Sequence, residues 1–180
     1  MMKDLYTAEI LMKRFYAYKK KYIETLEIIK ETGLPIRQEN PPEDITENIV
    51  KFILHRGDDP SCMWAKSIKK KGDLYSTKYD IPEVKSFTSN GPSSFGPKKV
   101  FGVIYFLDLR KWLDNQIILW KVNLTNESPE WKNLKMNKTQ THQEQCDEKR
   151  RPHISWDKIY EQLNTHCEEI YNGTFEDIFV

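Results

Sequence analysis

Apolar residues recur along residues 4–31 at steps of mostly three or four positions, as they do on one face of a helix. A second stretch of this kind follows Pro41 and Pro42 and continues to about Arg56, where Gly57 and an Asp-Pro pair end it. The pattern therefore predicts two N-terminal helices.

The pattern changes in the middle of the chain, where short apolar runs are separated by Gly and Pro. We predict strands over 72–77 and 81–87, joined by a tight turn that pairs them antiparallel. The segment 88–97 is rich in turn residues and predicts a loop. Nearly unbroken apolar runs over 100–107 and 117–124 predict two more strands, each covered on both faces.

A polar stretch follows Pro129, and an amphipathic pattern over 155–170 then predicts a C-terminal helix. Helices, then strands, then a helix indicate an α/β or α+β domain with a central mixed sheet. The length suits one domain. Within it we expect N-terminal helices over 1–56 and a sheet core over 72–124. The segment 130–180 contains the polar stretch, which we expect to read DNA, and the last helix.

The 28 Lys and Arg residues nearly balance the 27 Asp and Glu residues, so the net charge is only +1. This argues against a uniformly basic nucleic-acid-binding protein, yet residues 66–71 contain four Lys and no acid. The three cysteines are too few and too widely spaced for a disulfide framework. The chain has no apolar run of membrane-spanning length and no signal-peptide pattern. We expect an intracellular, cytoplasmic protein of bacterial, archaeal or viral origin.

One group of charged residues has the spacing of a metal-dependent nuclease. Such a site needs carboxylates for divalent cations and a nearby ammonium, and Glu-x-Lys on a strand places both side chains on one face. Acid-x-Lys triplets occur at 83–85, 130–132 and 147–149. Only the first lies in a predicted strand with an acid, Asp73, ten residues upstream. Solvated charges on a hairpin would have the same spacing, so spacing alone leaves both interpretations open.

The sequence around this triplet resembles that of a known nuclease superfamily. Gly-Asp-(x9)-Glu-Val-Lys, beginning at Gly72, resembles the motif of the PD-(D/E)xK nuclease superfamily, with Gly in place of the usual Pro. A second segment resembles small type II restriction endonucleases. It reads Ser-Phe-Thr-Ser-Asn-Gly-Pro-Ser-Ser-Phe-Gly-Pro at 86–97 and is followed by Ile-Tyr-Phe-Leu-Asp at 104–108. Weaker similarity extends to 41–49 and to 150–152. The resemblance implies a restriction-endonuclease-like fold.

The resemblance also implies roles for individual residues. Asp73 and Glu83 would be ligands of Mg²⁺, with the carbonyl of Val84 as a third, and Mn²⁺ or Ca²⁺ would be able to occupy the same site. Lys85 would orient or activate the attacking water and stabilise charge on the phosphate. A further carboxylate often comes from a preceding helix, and we choose Glu47. Its position away from the apolar stripe is equally consistent with an exposed helix-face acid.

DNA contacts are expected from three places: the lysines near the catalytic strands, the loop that leaves the second strand, and the polar tract Lys132 to Arg151. Lys and Arg position the protein on phosphates, while Asn, Gln and Arg read base edges. A structural turn and a solvated connection are the alternatives for the loop and the tract. The expected residues are Lys69, Lys70, Lys71, Ser86, Thr88, Ser89, Asn90, Ser93, Ser94, Lys98, Lys99, Asn137, Lys138, Gln140, Arg150 and Arg151.

These features predict a type II restriction endonuclease that uses Mg²⁺ to hydrolyse double-stranded DNA at a short palindromic site. A two-fold DNA site favours a homodimer. The alternatives are a structure-selective nuclease of the junction-resolvase or repair type, and a DNA-binding module without activity. A separate zinc site of His142, Cys146, His166 and Cys167 is also open, although its spacing matches no familiar finger.

Overall fold

The computed structural model describes residues 4–36 and 39–180. The α-helices of this part of the chain are α1 (Ala8–Thr32), α2 (Glu43–Arg56), α3 (Pro129–Lys132), α4 (His142–Asp147) and α5 (Trp156–Leu163). Its strands are β1 (Met63–Trp64), β2 (Leu74–Tyr75), β3 (Pro82–Phe87), β4 (Ser93–Ser94), β5 (Val103–Asp108), β6 (Ile117–Val122), β7 (His153–Ile154) and β8 (Cys167–Gly173).

The two N-terminal helices have sequence-encoded ends. The side chain of Thr7 accepts a hydrogen bond from the N–H of Ile10 at the start of α1. Gly33 ends the helix in the left-handed conformation at φ 67°, where a residue without Cβ is favoured. Glu43 and Asp44 place negative charge in the first turn of α2, where the helix dipole is stabilised by it. Both predicted helices are confirmed.

The central sheet has the order β3-β5-β6-β8. Strand β3 pairs parallel with β5, whereas β5 pairs antiparallel with β6, and β6 with β8. Alternate residues of β5 face two cores: Tyr105 lies in the core that includes residues of α1 and α2, while Phe106 lies in the core that includes Trp131 and Trp156 on the other face. The molecule is therefore a mixed α/β fold with helices on both sides of the sheet, as predicted.

The predicted hairpin of 72–77 with 81–87 is wrong. Strand β2 pairs with β1, and β3 pairs with β5 instead. The connection between β2 and β3 is held away from a tight turn by the acids that follow α2. The hydroxyl of Ser76 donates to Asp59, and Lys78 Nζ lies 2.8 Å from Asp58 Oδ1.

The predicted C-terminal helix over 155–170 is also wrong in its second half. Helix α5 ends at Leu163, and after one short 3₁₀ turn the chain forms β8 along the edge of β6. Asn164 and Thr165 are poor helix formers, and the backbone groups of β6 need partners at that edge. Cys167 consequently begins a strand instead of lying on a helix face.

Two further segments are more ordered than predicted. Ser93 and Ser94, within the expected loop, form β4, which pairs antiparallel with β7. The stretch after Pro129 contains α3 and α4 and supplies the fully buried Trp131 to the second core. Among the described residues no helix is both long and apolar enough to cross a membrane.

Candidate active site

Strand β3 is an edge strand of the central sheet, and the predicted catalytic triplet lies on it. Glu83 and Lys85 project from the same face because they are two positions apart. Asp73, just before β2, reaches this edge through its side chain: Asp73 Oδ2 accepts a hydrogen bond of 2.9 Å from the N–H of Val84. Asp73 and the triplet are thus brought together, although no strand ladder joins their segments.

Glu83 is the most buried acid of this group, with a relative exposure of 1%. Its Oε1 lies 2.9 Å from Lys85 Nζ, and its Oε2 lies 2.5 Å from Lys99 Nζ. Neither contact has hydrogen-bond angles, so both carboxylate oxygens are buried without a well-formed hydrogen bond. Burial and then the charge of Asp73 raise the pKa of Glu83, against the opposing effect of the two ammonium groups.

Lys99 also approaches the second carboxylate, since its Nζ lies 3.8 Å from Asp73 Oδ1. Burial opposes its positive charge, yet the carboxylates of Glu83 and Asp73 raise the pKa of Lys99. The ammonium group therefore lies between two acids, and it is charged there.

Glu47 is buried on α2, with 4% exposure, so the exposed helix-face alternative is wrong. Strand β1 and the turn after it cover this side chain: Trp64 Nε1 donates to Glu47 Oε2 at 2.5 Å, and Lys66 Nζ lies 3.1 Å from Glu47 Oε1. Burial, with a smaller contribution from the charge of Asp73, raises the pKa of Glu47 to about 7. Glu47 borders the other acids, but its side chain is directed to Trp64 and Lys66.

The carboxylate oxygens at the β3 edge are suitable ligands for a hard divalent cation such as Mg²⁺. Asp73 and Glu83 offer carboxylate oxygens only, and both oxygens of Glu83 are buried without well-formed hydrogen bonds. Within the described part of the chain, no three His, Cys, Asp or Glu side chains are close enough together to hold a metal ion. Asp73 and Glu83 are the residues that would hold such a cation, whereas the Glu47 carboxylate contacts Trp64 and Lys66.

A groove with a volume of about 780 Å³ opens beside Lys85. Ser86, Thr88 and Ser89 line it from the catalytic strand and the loop that follows. Ser93 and Ser94 line it from β4. Hydroxyl groups and a lysine thus face the space next to the carboxylates, which is chemistry suited to a phosphate backbone.

Other predicted DNA contacts lie away from this groove. Lys70 and Lys71 line a second cavity of about 540 Å³ and lie close to Asp73 in the chain. Lys69, beside them in sequence, and Lys98 are exposed. The side chain of Asn90 accepts a hydrogen bond of 2.8 Å from Arg110 Nη1 instead of facing the groove.

The polar tract is largely engaged in its own hydrogen bonds. Asn137 Oδ1 accepts from the N–H of Gln140 at 2.8 Å, and Gln140 Nε2 donates to Glu148 at 3.0 Å. Arg150 is paired with the same Glu148. Lys138 is exposed. Arg151 is different, because its Nη1 lies 3.5 Å from Ser94 Oγ at the border of the groove.

Among the described residues, the four alternative zinc ligands do not form one cluster. His142 is buried against Phe95 and Trp131, and its Nδ1 lies 3.7 Å from Cys146 Sγ. Cys167 donates its S–H to the carbonyl of Leu163. His166 lies in the short turn before β8.

Three residues of the groove were not expected from the sequence: Tyr22, Asn40 and His153 also line it. The Asn40 side chain accepts from the hydroxyl of Thr88 at 2.9 Å, and His153 pairs with Ser94 across β4 and β7. No sequence signal marks them, because each is brought there by long-range packing. The carboxylate contacts of Lys66 and Lys99 were also unexpected, although both belong to the lysine clusters seen in the sequence.

A mixed α/β sheet whose edge strand presents a Glu and a Lys, with an Asp side chain bound to the same strand and a polar groove beside it, defines the class of restriction-endonuclease-like proteins. The family model described as Bsp6I restriction endonuclease matches residues 8–163, which is most of the chain. The chain therefore belongs to this family and is a type II restriction endonuclease, a hydrolase that acts on DNA. Enzymes of this kind generally use a divalent metal ion. Searches of curated proteins and of solved structures gave no match.

Proposed function

We propose that this endonuclease hydrolyses both strands of double-stranded DNA at a short palindromic sequence, with Mg²⁺ held in a PD-(D/E)xK site. Asp73, Glu83 and Lys85 form the site. The observation that carries the proposal is the convergence at the β3 edge: Asp73 accepts from the Val84 N–H, and Glu83 lies 2.9 Å from Lys85 on the same strand face.

The cation, when bound, supplies Lewis-acid chemistry that makes the phosphodiester and its attacking water more reactive. Asp73 and Glu83 would hold it through carboxylate oxygens, with the Val84 carbonyl and a rotated Glu47 as further ligands. Because Lys85 is half-buried and faces the groove, its ammonium group is positioned to hold the water and to stabilise charge that develops on the phosphate.

The DNA backbone is proposed to lie along the groove beside Lys85. Ser86, Thr88, Ser89, Ser93 and Ser94 would donate to phosphate oxygens or to base edges. The exposed Lys69, Lys70, Lys71 and Lys98 would extend the contact electrostatically.

Base recognition is assigned to the border of the groove and to the tract beyond it. Arg151 has the best position, next to Ser94, and His153 joins it from the same segment. Asn90, Asn137, Lys138, Gln140 and Arg150 would take part only if DNA binding replaces their present hydrogen bonds.

A homodimer is part of the proposal. Two identical sites related by a two-fold axis match the symmetry of a palindrome and cut both strands in one complex. A chain of 180 residues with one candidate site would otherwise have to rebind for the second cut.

Digestion of a plasmid of known sequence in Mg²⁺, followed by run-off sequencing of the ends, tests the proposal. We expect discrete fragments whose ends share one short palindromic sequence, and no fragments in EDTA. Cleavage confined to branched DNA would indicate a structure-selective nuclease instead, and binding without cleavage in Mg²⁺ would contradict the catalytic proposal.

A further inference from the structure

The two carboxylates proposed to hold Mg²⁺ are both close to the ammonium group of Lys99. Lys99 Nζ lies 2.5 Å from Glu83 Oε2 and 3.8 Å from Asp73 Oδ1. Lys99 comes from the turn after the Ser-Phe-Gly-Pro loop, where its N–H donates to the carbonyl of Gly96. Its side chain keeps 35% exposure, so solvent lies on one side of a flexible stem.

A magnesium ion held by Asp73 and Glu83 would compete with Lys99 for the carboxylate oxygens that its ammonium group contacts. The Lys99 ammonium group and a divalent cation bound to the same carboxylates would repel each other strongly, because the site is partly buried. The ammonium group forms an ion pair with Glu83, so it already neutralises one of the carboxylates that a metal ion would need.

From these contacts we infer that Lys99 is a built-in competitor of the metal ion: its ammonium group occupies the place between Asp73 and Glu83 and has to leave before a divalent cation binds. The inference rests on the proposed metal-dependent function. It adds a residue that the nuclease motif does not contain and a reason for the enzyme to bind metal weakly while it is not on DNA.

The release of Lys99 has a consequence for DNA binding. An ammonium group displaced from the carboxylates has the phosphate backbone as its nearest alternative partner, since the groove lies next to the same strand. DNA and metal would then favour each other's binding, and by linkage the effect is reciprocal. Lys85 would remain beside Glu83 throughout.

The opposite hypothesis is that Lys99 only holds the site together. In that case its removal would leave two unpaired acids that repel each other, and the metal site would be weakened. The two hypotheses therefore predict changes of opposite sign in metal affinity when the ammonium group is removed.

Calorimetric titration of the DNA-free protein with Ca²⁺ distinguishes them. We expect Lys99→Ala to bind Ca²⁺ about tenfold more tightly than the wild type, because the competing charge is gone. Lys99→Met, which keeps most of the apolar stem, should do the same. Lys13→Ala is the control: this lysine lies on α1, is exposed and pairs with Glu9, so its removal should leave the affinity unchanged.

Each unfavourable outcome has a distinct meaning. Equal or weaker Ca²⁺ binding by both Lys99 variants would overturn the inference while leaving the metal site intact. Wild-type Ca²⁺ binding that Asp73→Asn does not remove, or no binding by any variant, would instead overturn the proposed metal site. Thermal melting in EDTA identifies any variant that has lost its fold, and Lys99→Met then replaces Lys99→Ala.

Discussion

Glu47 and Glu83 are both buried next to lysines, and both carry a cost for their negative charge while no divalent cation is bound. Burial is the largest cause of the raised pKa of each residue, and the charge of Asp73 adds to it. Under the proposed function, a metal ion held by this site would reduce this cost by adding positive charge. At the scale of residues, we therefore expect bound metal to stabilise the site.

The pH dependence of stability follows from Glu47. Its pKa is about 7 in the folded protein and 4.5 in the unfolded reference, so the folded state binds more protons between these values. In EDTA its contribution to stability therefore falls as the pH rises from 4.5 to 7. We expect Glu47→Gln to exceed the wild type at pH 8 by about 1–3 kcal/mol in the free energy of unfolding.

The measurement is denaturant unfolding in EDTA at pH 5 and pH 8. The gain of Glu47→Gln should be much smaller at pH 5, where Glu47 is largely protonated. Glu43→Gln is the control, because Glu43 contacts the same Lys66 but is exposed. A Glu47→Gln variant that is less stable than the wild type at pH 8 would show that the contacts with Trp64 and Lys66 outweigh the burial of the charge.

At the scale of elements, the catalytic strand depends on one close backbone contact. The N–H of Gly102, just before β5, donates to the carbonyl of Asp80, just before β3. A Cβ on Gly102 would lie 2.2 Å from that oxygen. The parallel register of the strands begins directly after this contact, with Pro82 opposite Val103.

Gly102→Ala should therefore separate the starts of β3 and β5. We expect a loss of about 1–3 kcal/mol in the free energy of unfolding, the usual cost of overpacking, together with reduced cleavage. Gly57→Ala is the matched control, since a Cβ at Gly57 meets no atom within 4 Å, and its stability should change by no more than about 0.5 kcal/mol. Equal unfolding curves for the two variants would show that the contact is unimportant.

The elements that the sequence predicts well are those with a strong local pattern. The helices before residue 56 have a clear helical period, and strands β5 and β6 lie in nearly unbroken apolar runs. The antiparallel hairpin was wrong because Asp58 and Asp59, distant in sequence, bind the connection that would have formed its turn. The last helix was wrong because β6 needs an edge partner, which no local pattern reveals.

The candidate site shows the same division. Its motif residues are recognisable because the chemistry fixes their types and spacing. The burial of Glu47 and the position of Lys99 depend on tertiary contacts with Trp64 and Glu83. Neither contact has a sequence pattern, so the sequence leaves the exposure of Glu47 open and predicts only a DNA contact for Lys99.

At the scale of the whole molecule, the net charge of +1 conceals a separation of roles. Lys66, Lys85 and Lys99 are paired with acids at the β3 edge. Lys69, Lys70, Lys71 and Lys98 are exposed. The first group balances the candidate metal site, and the second provides a positive surface near it. A nearly neutral chain is thus compatible with a polyanionic substrate.

The central claim is that Lys85 acts in the hydrolysis of DNA at the β3 edge. It is tested most directly by measuring cleavage in Mg²⁺ and DNA binding in Ca²⁺ for Lys85→Ala on one DNA. We predict that cleavage falls by about 10²–10³-fold, because the charge that stabilises the transition state is lost, while binding is largely kept. Lys13→Ala, an exposed lysine on α1, should behave as the wild type. Undiminished cleavage by Lys85→Ala would contradict the account.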